Sequence, residues 1–119
     1  MPSMSTWRTI MARRTLRHPD LAPSHPGALL REVTMPAFKM PVSTLAKQLG
    51  VTRQTLHRIL AEKARITPEM ALRIGKFCGN GPNLWLRMQE DYDLWHTERT
   101  LRDEIARIPT HRAPVHEAA

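Results

Sequence analysis

The chain has 119 residues, 41% apolar and 24% charged, the make-up of one small globular domain with extensions. Its single cysteine, Cys78, excludes an intrachain disulfide and a cysteine zinc cluster, and no apolar run approaches membrane-spanning length. The net charge of +7 is unevenly placed: residues 26–66 hold seven basic and two acidic side chains, residues 67–119 seven and eight. Residues 1–25 hold four and one, so the basic excess lies wholly within the first 66 residues, as expected of a phosphate-facing surface.

Residues 1–24 show no sustained period and read as a flexible basic arm. Trp7, Ile10 and Met11 offer at most one helical turn to a partner, and Met4 and Met11 are alternative starts. The N-terminus lacks the apolar core of a secretory signal, so a cytoplasmic protein without a membrane partner is expected. His25-Pro26-Gly27 leads into a first helix, with Leu29, Leu30 and Val33 on one face. Pro36 is expected to stop it. A linker with Phe38 and Met40 tucked under the core then reaches Pro41, suited to the first position of a second helix.

Residues 42–59 read VSTLAKQLGVTRQTLHRI, and the spacing predicts a helix-turn-helix. Leu45, Leu49, Val51, Leu56 and Ile59 face inward, and Ala46 is small enough for a second helix to cross closely. Gly50 can take positive φ and end the first helix, and Thr52 can cap the next. The outward face of the helix from Arg53 to about Ala61 is then Arg53, Gln54, His57 and Arg58. Side chains of this kind near a helix N-terminus read base edges in a major groove. The expected base contacts are Arg53, Gln54 and Arg58, with Thr55 as a fourth; Ser43, Thr52, Lys63 and Arg65 flank the helix and are expected on phosphate.

Beyond a polar loop, Thr67 caps a fourth helix that Pro68 opens and Gly79 ends, burying Met70 or Ala71, Ile74, Phe77 and Cys78. Gly81-Pro82 opens a fifth, with a stripe of Trp85, Met88, Tyr92 and Trp95. Leu94, Leu101, Ile105 and Ile108 follow a second phase. Either one long helix carries two seams or it breaks near His96-Thr97 and a short sixth helix follows. Pro109 ends the pattern, and residues 110–119 read as a disordered tail. The expected fold is all-α, with five helices or six, divided into a domain over residues 25–96 and a helical extension over 97–109.

Enzyme chemistry is not expected. The six histidines are scattered, no third ligand stands beside His96 and Glu98, and there is no Gly-rich phosphate loop. Glu90, Asp91 and Asp93 form an acidic patch on the fifth helix, read first as a solvated face. No cofactor and no metal site is expected.

Three segments in this order carry a family resemblance: HPGALLREV, STLAKQLGVTRQTLHRIL and ARITPEMALRIGKFCGNGPNLWLRMQEDYDLW. Over about residues 25–96 the chain resembles the HigA-type antitoxins of bacterial type II toxin-antitoxin systems, which share the XRE/Cro-type helix-turn-helix fold. The resemblance implies a homodimer that binds a palindromic operator on double-stranded DNA, represses its own operon, and neutralises a RelE-like toxin. Two other readings stand beside it: a stand-alone repressor, and an interaction module docking through the Trp-rich fifth helix. One recognition helix spans few base pairs, so specific binding calls for a two-fold dimer. Trp85, Met88 and Tyr92 are expected to close the monomer core, leaving Leu94, Trp95, Leu101 and Ile105 for the partner copy.

Overall fold

The computed structural model describes residues 21–113, and over these the chain is helical with no strand. The N-terminal arm with Trp7, Ile10 and Met11, up to residue 20, and residues 114–119 of the expected tail lie outside the described residues. Helix α1 covers residues 26–38 in three contiguous pieces: Pro26–Leu29, a π turn Leu30–Thr34, and Met35–Phe38. It is followed by α2 (Val42–Leu49), α3 (Arg53–Leu60), α4 (Pro68–Cys78), α5 (Asn83–Thr100) and α6 (Arg102–Ala106).

The first helix corrects the sequence reading, because Pro36 does not end it. The turn before the proline is widened, with the Met35 N–H donating to the Leu30 carbonyl one residue further back than in an α-helix. That widening gives the pyrrolidine ring room against the preceding carbonyls, and the donor it lacks is left out of the ladder. Lys39 closes α1 instead, in the left-handed region at φ 51°. One other boundary shifts: Pro41 is the N-cap of α2 rather than its first residue. Of the two courses open to the fifth helix, α5 reaches Thr100 and breaks only at Leu101, ahead of the short α6, running continuously past His96. Trp95 and Arg99 carry α5 through that point: the guanidinium lies 3.5 Å over the indole and donates to the Trp95 carbonyl at 3.2 Å.

One core joins five helices. Leu29 and Leu30 come from α1, Leu45, Ala46 and Leu49 from α2, Leu56, Ile59 and Leu60 from α3. Met70, Ala71, Ile74 and Cys78 of α4 and Trp85 and Met88 of α5 complete it, with Ile66 from the α3–α4 connection. Phe77 is only half-buried and stacks at 5.0 Å on Phe38. The Trp85 indole is fully buried and donates to Asn80 Oδ1 at 3.1 Å. The start of α1 lies directly on α3, where a Cβ on Gly27 would collide with the Ile59 carbonyl.

Candidate nucleic-acid interface

The site is built on the α2–α3 corner. Gly50 takes φ 73° and returns the Val51 N–H to the Ala46 carbonyl at 3.0 Å, which turns the chain in a single residue. Arg73 of α4 donates to the Leu49 carbonyl at 2.9 Å and pairs with Glu69, fixing the end of α2. Thr52 caps α3, its Oγ1 accepting from the Thr55 N–H at 3.0 Å and donating to Thr55 Oγ1 at 2.8 Å. Leu56 and Ile59 lock the inner side of α3 into the core.

The outer side of α3 presents Arg53, Gln54, His57 and Arg58, all exposed. They line one open concavity with Ala61 and Lys63. None of the four makes a hydrogen bond through its side chain among the described residues. Thr52, Thr55 and Arg65 lie round the corner, in a second concavity floored by Val51, Ile59 and Met70. Ser43 stands apart on α2, in a third, shallow groove with Thr44, Lys47 and Gln48. The expected contacts thus separate by place: Arg53, Gln54, Arg58 and Lys63 share the first concavity, Thr52, Thr55 and Arg65 the second, and Ser43 lies in the third.

The helix-turn-helix family model matches residues 34–85. An uncharacterised HTH-type transcriptional regulator of Haemophilus influenzae is 35% identical over 80 residues, 67% of this chain and 75% of its own length. Among solved structures, an addiction module antidote protein of a HigA family from Coxiella burnetii is 33% identical, with a TM-score of 0.71 over 77% of this chain and 100% of that one. The chain belongs to the HigA-type antitoxin family of XRE/Cro-type helix-turn-helix proteins. The antitoxin GraA in complex with its operator is similar too, 32% identical, with a TM-score of 0.73 over 82% of this chain and 99% of that one. Membership makes the protein a DNA-binding regulator rather than an enzyme.

Within this HigA-type fold several charges counted in the sequence are already engaged. Arg31 donates to the Leu60 carbonyl at 2.7 Å and pairs with Glu62 and Glu32. Arg65 donates through Nε to Asp93 Oδ2 at 3.1 Å, so Asp93 is withdrawn from the acidic patch while Glu90 and Asp91 stay exposed. His25 is 2% exposed and caps α1, with Nδ1 accepting from the Gly27 N–H at 2.9 Å. Burial pushes its pKa below 6.5, against the opposing fields of Glu62 and Asp93.

Of the expected partner-facing residues, Leu94 (59% exposed), Leu101 and Ile105 are open, as is Ile108. Trp95 is half-buried under Arg99. The sequence reading passed over Thr44, Lys47 and Gln48. The signal was present: Lys47 and Gln48 alternate with the buried Leu45, Ala46 and Leu49 and must therefore face out. No group of three metal-ligating side chains occurs among the described residues, and burial pushes the Cys78 thiol up to about 12. No helix among them is long and apolar enough to cross a membrane.

Proposed function

We propose that the chain is the antitoxin of a type II toxin-antitoxin pair. As a homodimer it binds a palindromic operator and represses its own operon, and it binds and neutralises a RelE-like ribonuclease toxin. The observation that carries the DNA half is the outer face of α3: Arg53, Gln54, His57 and Arg58 project, without internal partners among the described residues, from a helix whose other side is locked. Charged and amide side chains left unpaired on a rigid helix are what base edges require. The similar antitoxin GraA, solved with its operator, supports the same reading.

In this proposal Arg53, Gln54 and Arg58 contact bases, with Thr55 as a fourth from the neighbouring concavity, and Ser43, Thr52, Lys63 and Arg65 contact phosphate. The Thr52 hydroxyl is committed to the α3 cap, so its main-chain N–H serves the phosphate. Leu94, Trp95, Leu101 and Ile105 supply the homodimer contact. The toxin half rests on family membership, and its surface is sought on α1 and the arm or on the acidic face of α5.

Binding of a duplex from immediately upstream of the gene tests the DNA half. Arg53→Ala is expected to cost about 1–3 kcal/mol on that duplex and to relax specificity at one position. A variant that binds operator and random duplex as the parent does would show that α3 is not the reading helix. Co-purification with the product of the neighbouring reading frame tests the toxin half. A chain that represses but captures no such partner is the stand-alone repressor.

A further inference from the structure

The connection from α3 to α4 is a surface segment, the kind that ordinarily moves. Here it is fastened from both sides. α3 ends in a Schellman turn, with the Lys63 N–H on the Arg58 carbonyl at 2.9 Å and the Glu62 N–H on the Ile59 carbonyl at 3.0 Å. The left-handed position of that turn is held by Glu62, at φ 61°, where glycine would sit without strain. The carboxylate gains a hold on Arg31 of α1, accepting from Nη1 at 3.2 Å and Nη2 at 3.3 Å. The same guanidinium donates to the Leu60 carbonyl. From the other side Gln89 of α5, 2% exposed, accepts the Ile66 N–H at 2.7 Å and donates to Asp93 Oδ1 at 3.0 Å. Asp93 holds Arg65.

All these side-chain ties come from α1 and α5. None belongs to the helix-turn-helix itself. A strained residue kept in place by its neighbours points to a segment whose shape is used. What the segment displays is two cations. Lys63 is exposed in the α3 concavity, and Arg65 has a 65% exposed side chain whose Nη1 makes no hydrogen bond among the described residues.

We propose that this connection is a prebuilt clamp for DNA phosphates, and that Arg31, Gln89 and Asp93 are its positioning residues, acting through Lys63 and Arg65. The inference rests on the DNA-binding reading above. Its physical basis is preorganisation: a segment ordered before contact loses less freedom on binding.

Two charge-neutral variants test it in the full-length chain. Arg31→Lys keeps the cation and loses the fork, and Gln89→Met keeps the size and loses both hydrogen bonds. Each is titrated, over a series of salt concentrations, with the upstream duplex and with a random duplex. Amide hydrogen exchange is followed over residues 60–66. The expected result is faster exchange there, an affinity lowered about tenfold for both duplexes alike, and a log–log salt slope shallower by about one. Faster exchange with parent-like affinity and slope overturns the clamp and leaves DNA binding standing. A parent that binds neither duplex removes both readings together. Should Gln89→Met not fold, Arg31→Lys on the exposed surface decides the matter alone.

Discussion

His25 shows how one residue can look idle in a sequence and be committed in the fold. It precedes Pro26-Gly27, caps α1 through Nδ1, and meets the Tyr92 ring edge-on at 4.9 Å. With Nδ1 accepting, the ring proton sits on Nε2, so a second proton would set Nδ1–H against the Gly27 N–H. Burial accordingly lowers the folded-state pKa from 6.5. The unfolded chain then takes up the proton first as pH falls. Stability is expected to be level above 6.5 and to decline as pH drops below it toward the folded value. Urea midpoints at several pH values check this, and His25→Gln is expected to flatten the decline. A parent midpoint that rises on acidification through that window would contradict the assignment. At the same scale, the net basic balance overstates the cations available to DNA: Arg31 and Arg73 are tied to both a carboxylate and a backbone carbonyl, whereas Arg53, Arg58 and Lys63 are open and Arg65, though paired with Asp93, keeps Nη1 without a hydrogen bond among the described residues.

Among the elements, α1 is the one that sequence periodicity misdescribed. Its apolar face at Leu29, Leu30 and Val33 was legible, whereas its start at Pro26 and the extended His25 cap are given by the structure. Its continuation through Pro36 was not, because a proline ends a helix unless the preceding turn can widen, and widening leaves no residue pattern. Packing of Met35 and Phe38 on the core favours the longer helix. The contact of α1 with α3 is equally unforgiving at Gly27, whose missing Cβ lets the backbones approach. Gly27→Ala is expected to destabilise the fold by about 1–3 kcal/mol through overpacking, even though alanine favours helices. Thermal or urea denaturation reads this. A stabilised variant would mean that α1 can slide off Ile59 at no cost. α3 needs no such correction: its cap, its inner face and its outer face follow from residues 52–60 alone.

At the level of the molecule, the open seam of Leu94, Leu101, Ile105 and Ile108 is exposed, with no cover among the described residues. Exposed apolar stripes of this kind mark interfaces. The proposed two-fold dimer would set two α3 helices about 34 Å apart, one duplex turn. Replacing Leu101 and Ile105 together by Glu is expected to give a folded monomer with weak operator binding, seen by sedimentation and titration. A double variant that still sediments as a dimer would move the interface elsewhere, with exposed Leu72 on α4 the next place to look.

The sequence by itself determined the helical class, the corner at Gly50, the cap of α3 and the outward set at Arg53, Gln54, His57 and Arg58. These depend on contacts three or four residues apart and on φ at a single glycine, so local pattern carries them. Only the tertiary structure decided that α1 passes through Pro36, that Gly27 is locked against Ile59 and His25 against Tyr92, and that Arg31, Gln89 and Asp93 hold the segment after α3. The ties of Arg31 to Glu62, Gln89 to Ile66 and Arg65 to Asp93 join residues 31, 23 and 28 positions apart. Nothing in the spacing of one charged or amide side chain says which distant partner the folded chain will bring within hydrogen-bond reach, because that pairing is set by how the helices pack.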